Sequence, residues 1–401
     1  MQNIVIDKPY RFVPPVQGLF WHRFFMLQLK RYLRKDQGIH AVECLHLERL
    51  QASLAAGHGV MLAPNHCRPS DPMVLMQVGQ QLGRPLNIMA SWHLFMQSRF
   101  QRWALPRVGV FSVYREGLDR EALKCAVQIL ATAQRPLVIF PEGLISRSND
   151  RLNNLMEGVA LMARGAAKQR AAATTPGRVV VHPVALRYFF EGDLAATLTP
   201  VLEEIEQRLT WQPQRQLGLT ERILKIGDTL LALKEAEYLG APQPGAFDVR
   251  LQRLMDALLV PLEKEWLKGR RAETTVERVK LLRIAILPDM VAGELPEAER
   301  ARRWRQLADV YLAQQLHNYP PNYFSPAPTP ERLLETVERF EEDLTDNVRV
   351  YAPLRAVVSI GAAIEVSPVR EKSADGDPLV AEIRRQLETM LEELKGQRRS
   401  A

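Results

Sequence analysis

Residues 64–72 read PNHCRPSDP, which sets His66 and Asp71 five positions apart around Pro69, with Pro72 directly after. A histidine titrates near neutrality and can take or return a proton, and a carboxylate can hold its ring in one orientation. The prolines argue against one continuous helix through the stretch, so the pair can meet only on a turn. A proton-shuttling pair is one reading. A polar loop that contains one of the eight histidines is the other, and the stretch alone leaves both open. Cys67 adds a third possibility, a thiol nucleophile.

The surrounding elements narrow the choice. Short apolar runs that read as buried strands occur at 60–63, 86–90, 108–113, 137–140 and 179–184. Helical spacing fills 72–82, 118–133 and 155–167 between them. Strands alternating with helices predict a layered α/β domain with a mixed sheet flanked by helices. Asp71 followed by Pro72 predicts a helix start, with the acid as N-cap. PNHCRPSD is then a loop from strand to helix, where α/β proteins commonly keep their chemistry.

Three further pieces fall at strand ends: GVFSVYR from Gly109 to Arg115, FPEG from Phe140 to Gly143, and VVVHPV closing at Pro183. Together with Asn65, His66 and Asp71, they resemble the blocks of the glycerolipid acyltransferase family that includes the 1-acylglycerol-3-phosphate acyltransferases. The resemblance covers roughly residues 40–190 and implies transfer of a fatty acyl group from a thioester, acyl-CoA or acyl-carrier protein, to the hydroxyl of a lysophospholipid. It implies His66 as the base and Asp71 as its orienter, with the acceptor hydroxyl as nucleophile in place of Cys67. It places Asn65, Gly109, Arg115, Phe140, Pro141, Glu142 and Gly143 in substrate binding. Arg115 is suited to an acceptor phosphate because a guanidinium fork matches phosphate oxygens. Glu142 would help complete the acceptor site, and Gly143 would let backbone approach the ligand. The family's usual Thr-Arg-Ser after FPEG is missing. This chain reads Leu144-Ile145-Ser146-Arg147, which makes Arg147, two places late, the candidate for that arginine's role.

The chain has 401 residues and a net charge of +7, which favours an anionic partner. Seven basic residues and no acidic ones lie between Lys8 and Lys35, and residues 18–35, GLFWHRFFMLQLKRYLRK, mix aromatic rings with bases. Residues 1–38 therefore read as a basic, aromatic arm. It holds either a helix lying in the headgroup region of an anionic membrane or an amphipathic helix packed on the core. Three cysteines without CxxC spacing point to a reducing compartment. Neither a signal peptide nor a spanning segment is expected, which suits a cytoplasmic protein on the inner face of a membrane.

The acyltransferase core is expected over 39–200, with a change of character after Pro200. Residues 201–347 read as nearly strand-free, with helices over 219–239, 247–267, 297–316 and 330–344, breaks at GAPQPGAF, the ILPDM region and NYPPNYFSPAPTP, and no internal repeat. Strand character returns in RAVVSIGAAIEVSP (355–368) before a last helix over 379–394. This leaves a helical insertion in one domain or a separate helical domain with its own small β element. A catalytically silent membrane-surface scaffold is the main rival function. No GxSxG elbow suggests a serine lipase. No P-loop, dinucleotide motif, metal cluster or nucleic-acid module appears, so no cofactor, metal or nucleic-acid partner is expected.

Overall fold

The run Gly59–Pro64, GVMLAP, has no polar side chain, and all six of its residues are buried as a central strand. This follows from a computed structural model describing every residue except 1–4, 175, 294, 320–322, 325–327, 348, 370–375 and 399–401. Part of the NYPPNYFSPAPTP break and the first residues of the basic arm thus lie outside the described residues.

In chain order the first part comprises α1 (Phe20–Asp36), β1 (Ile39–Leu45), α2 (Leu47–Ala55), β2 (Gly59–Pro64), α3 (Asp71–Gln81), β3 (Asn87–Ser91), α4 (His93–Met96), α5 (Arg99–Arg107), β4 (Val110–Val113), α6 (Arg120–Thr132), β5 (Leu137–Val138), α7 (Gly158–Ala171) and β6 (Val179–Phe190). Then follow α8 (Leu194–Arg208), α9 (Leu219–Leu239), α10 (Phe247–Leu267), α11 (Thr275–Ala292), α12 (Glu297–Leu316) and α13 (Pro330–Thr345). The chain ends in β7 (Leu354–Ile360), β8 (Ile364–Glu365) and α14 (Pro378–Glu393).

These elements divide into two compact units. One holds Phe12–Tyr114, Asp119–Gly192 and Arg349–Ala401; the other holds Met1–Arg11, Arg115–Leu118 and Asp193–Val348. The first is a mixed α/β unit around an eight-stranded sheet in the order β1-β7-β6-β2-β5-β3-β4, with β8 on β6. β2, β3, β4, β5 and the first half of β6 run parallel, so their C-terminal ends share one edge. β7 pairs antiparallel with β6 and parallel with β1, which makes the sheet mixed. Helices α6, α7 and α14 bury Ala126, Leu130, Ala163 and Leu387 against Met61, Val181 and Phe189.

Four local expectations change. β4 begins at Val110 rather than Val108, because Val108 closes α5 and Gly109 turns the chain at φ +93°. A Cβ at Gly109 would meet the Leu86 carbonyl oxygen at 2.4 Å, so no other residue fits that turn without a shift. Asp71 is the first residue of α3, and Ser70 holds the N-cap position without a side-chain cap. The Asp71 carboxylate turns back to the preceding loop, as described below. The segment read as the ILPDM break is the continuous helix α11, with Pro288 inside it. An internal proline costs roughly 3 kcal/mol, but Ile286, Leu287 and Met290 around it are all buried. Likewise Pro200 sits inside α8, so the helical part begins at Leu194 without a change at that proline.

The helical unit also carries a repeat that its sequence does not advertise. The fourth residue of α9, α10 and α11 is an arginine in each case: Arg222, Arg250 and Arg278. Each forks onto a buried glutamate of the preceding helix: Arg222 on Glu206, Arg250 on Glu235, Arg278 on Glu263. The intervals are 16, 15 and 15 residues. Arg250 and Arg278 also reach Asp228 and Asp256, both 22 residues earlier. The remaining side chains of these helices differ, which is why the repeat escapes a reading by composition. Its marker is a buried charge pair, which must be complete because a lone buried charge is costly.

Candidate active site

The site forms where β2 and β5 end at the same edge of the sheet. β2 stops at Pro64 while its neighbour β6 continues to Phe190. Backbone groups of β6 beyond Val184 therefore lack a β2 partner, and buried backbone groups must find one. Asn65 supplies it: its Nδ2 donates to the Leu186 carbonyl at 3.0 Å and its Oδ1 accepts from the Leu186 N–H at 2.7 Å. Asn149 does the same for Tyr188, with both bonds at 2.6 Å. Asn65 thus acts as a clamp on the loop rather than as a group turned to a ligand.

With its base fixed, the turn brings the pair together. His66 Nδ1 lies 2.8 Å from Asp71 Oδ2. The same oxygen accepts the backbone N–H groups of Cys67 at 2.8 Å and Arg68 at 3.0 Å. Asp71 Oδ1 accepts the Tyr188 hydroxyl at 2.6 Å. Asp71 is fully buried, whereas the His66 side chain keeps 14% exposure. Nδ1 is committed to Asp71, and Nε2 makes no hydrogen bond among the described residues. Such an arrangement can serve as a general base held from behind by a carboxylate.

The FPEG loop closes over the same histidine. The Phe140 ring stacks on the imidazole at 3.9 Å between centroids. Glu142 Oε1 accepts the His66 backbone N–H at 2.7 Å, and its Oε2 accepts the Asn153 N–H at 2.9 Å. The Ser146 N–H donates to the His66 carbonyl at 2.7 Å. The Pro141 carbonyl takes the Met156 N–H at 2.8 Å. Gly143 adopts φ +69°, and a Cβ there would meet Met156 Sδ at 2.3 Å. Glu142 therefore ties the two loops together through backbone.

Burial pushes the Glu142 carboxyl up to about 7; the N–H groups of His66 and Asn153 pull the other way, and Asp71 adds to the rise. A carboxyl whose folded pKa lies above its unfolded value near 4.5 binds more protons in the folded state through that window. This group should therefore lower stability as pH rises from about 4.5 to about 7. Melting temperature against pH should fall less steeply there for Glu142→Gln than for the native chain. Parallel curves would mean that Glu142 does not titrate in this window.

Residues 41–187 match the family model described as Acyltransferase. This segment is an acyltransferase domain. No curated protein matches the chain. The acyltransferase domain spans β1 to most of β6, so the matched segment contains His66, Asp71 and Glu142 and ends one residue before Tyr188.

Around that centre the structure gathers Asn65, His66, Asp71, Phe140, Pro141 and Glu142 directly, with Gly143 and Arg147 in the same FPEG loop. Arg147 is half-buried at φ +54°. Gly109 is not brought to them: it precedes β4, whereas the centre lies at the opposite, C-terminal edge of the parallel strands. Arg115 groups with the helical unit, and its described charge neighbourhood includes Glu116 and Arg283. Burial draws its guanidinium below the usual value.

Tyr188 and Asn149 are functional neighbours that sequence reasoning missed. The strand reading stopped at Val184, and continuing the alternation along VVVHPVALRYFF would have put Tyr188 on the same face as Val184 and Leu186. Burial and Asp71 raise the Tyr188 hydroxyl well above its ordinary value, which keeps it a donor to that carboxylate.

Cys67 is 1% exposed, with Sγ 3.7 Å from Asp71 Oδ1 and 3.9 Å from the Leu186 carbonyl. It points into the protein while its neighbour His66 points out. Cys67→Ser should therefore keep most of the native rate. A covalent acyl group found on Cys67 by mass spectrometry during turnover would reverse that assignment.

Proposed function

We propose that this protein is an O-acyltransferase that moves a fatty acyl group from a thioester, acyl-CoA or acyl-carrier protein, to the hydroxyl of a lysophospholipid, 1-acylglycerol-3-phosphate above all. The observation that carries the reading is the buried Asp71 behind His66, which leaves Nε2 as the free ring nitrogen beside the Phe140 ring. The acceptor oxygen attacks the thioester carbonyl carbon while its proton passes to Nε2. Asp71 stabilises the imidazolium that forms. Collapse of the tetrahedral intermediate breaks the C–S bond, and the departing thiolate takes the proton back from Nε2. Arg147, in the FPEG loop, is the candidate for the acceptor phosphate, since it offers a guanidinium fork. No helix among the described residues is long and apolar enough to cross a membrane; on this reading the protein works from the inner, cytoplasmic face of one. The serine-hydrolase alternative finds no serine hydroxyl on the His66 ring among the described residues: Nδ1 is committed to Asp71, and Ser146, whose backbone N–H meets the His66 carbonyl, turns its hydroxyl to the Ser148 carbonyl.

The test is thioester consumption by the purified chain against lyso-acceptors with and without a phosphate group. The expected result is an ester product whose formation requires the acceptor and is fastest with phosphomonoester acceptors. Thioester loss without ester formation would make the protein a hydrolase. No consumption with any acceptor, by a folded chain, would favour the silent scaffold.

A further inference from the structure

Helix α1 is two-faced along its whole length. Met26, Leu29 and Leu33 form a buried seam against the acyltransferase domain. The opposite face carries Phe20, Phe24 and Leu27 at i, i+4, i+7 spacing, 74%, 51% and 78% exposed, and then Lys30, Arg31, Arg34 and Lys35. The side chains of those four bases make no hydrogen bond or ion pair among the described residues.

Helix α5, inside the acyltransferase domain between β3 and β4, extends this face. Trp21 lies 4.8 Å from Trp103, and Phe25 lies 6.2 Å from Phe100 and 6.1 Å from Trp103, centroid to centroid. Phe100 itself is 62% exposed. Arg107 covers the Trp103 ring at 4.5 Å, and Arg99 and Arg102 are exposed on the same helix. Rings from two helices thus form one cluster, open to solvent and edged with bases.

We propose that α1 and α5 together form a docking face for an anionic phospholipid bilayer, with the rings at the acyl boundary and the arginines and lysines at the headgroups. Aromatic rings favour that boundary, and unpaired bases favour an anionic surface. A protein partner fits less well, because interface cores are depleted in lysine and charge. The inference rests on the proposed function only in that a lipid acceptor resides in such a bilayer. It places docking in the acyltransferase domain itself rather than in a detachable arm.

The test is co-sedimentation of the full chain with vesicles of mixed phosphatidylcholine and phosphatidylglycerol. Phe100→Ser should weaken vesicle affinity about tenfold, the scale for withdrawing one partly inserted ring, with Phe24→Ser similar and the pair multiplicative. Leu161→Ser, at a leucine on α7 that is 61% exposed, should change nothing. Replacing Arg31 and Arg34 by Gln should weaken binding most at low salt. Native-like binding by Phe100→Ser would remove α5 from the face, and an equal loss in Leu161→Ser would show unspecific sticking. A native dimer that Phe100→Ser dissociates, together with no vesicle binding, would make the face a contact between two copies. Melting temperatures and turnover of a soluble short-chain acceptor are measured in parallel. Lost docking with intact turnover supports this face, whereas intact docking with no turnover in the native chain counts against the transferase alone.

Discussion

His66→Ala should lose acyl transfer by roughly 10²–10⁴-fold, the range that general base catalysis supplies, while its melting temperature stays close to native. The separation is possible because of where His66 makes its bonds. Its backbone N–H and carbonyl tie the loop to Glu142 and Ser146, and alanine keeps both. The side chain's own contacts are one hydrogen bond to Asp71 and one ring stacked on Phe140. Asp71 retains the N–H groups of Cys67 and Arg68 and the Tyr188 hydroxyl after the imidazole is gone, so no buried carboxylate is left without donors. Single-turnover measurement with a saturating lyso-acceptor separates chemistry from binding. Native rates in the alanine protein would end the mechanism.

Asp71→Asn tests charge rather than shape, and its expected loss is of the same order, roughly 10²–10⁴-fold. The amide oxygen can take the place of Oδ2, where it accepts from Cys67, Arg68 and His66 Nδ1. The amide nitrogen then faces Tyr188, whose hydroxyl can turn and accept instead of donating. The loop thus survives with its hydrogen bonds nearly intact, but the imidazolium loses its counter-charge. The signature is a rate that falls while acceptor KM and melting temperature change little. A variant with native kcat would show that the carboxylate's charge is unnecessary, and one that simply unfolds would show that Asp71 is structural.

The sequence by itself determined the parts of this protein whose causes are local. Pro69 and Pro72 forbid a helix across 64–72, and the spacing of His66 and Asp71 then permits a turn in which they meet; the observed 2.8 Å bond is that turn's consequence. Apolar runs bounded by breakers marked β2, β3, β5 and the start of β6, and helical spacing marked α3, α6, α7, α9, α10, α12 and α13. Tertiary structure alone decided what depends on partners far along the chain. β1, IHAVECL, buries only Ile39 and leaves its last five residues half-exposed, with no strong strand signal; it is a strand because β7, more than 300 residues later, offers it a ladder. That same pairing returns the chain after α13 to the sheet, a choice the sequence left open. Tyr188 reaches Asp71 across 117 residues and Glu142 reaches the His66 backbone across 76. The arginine–glutamate pairs of α8 to α11 look like solvated charges until the helices stack and bury them. Phe100 and Trp103 carry no signal of a shared cluster in the sequence until α1 lays its own rings beside them. In each case no neighbouring residue supplies the free energy. It comes from burial and hydrogen bonds that exist only once distant segments have met.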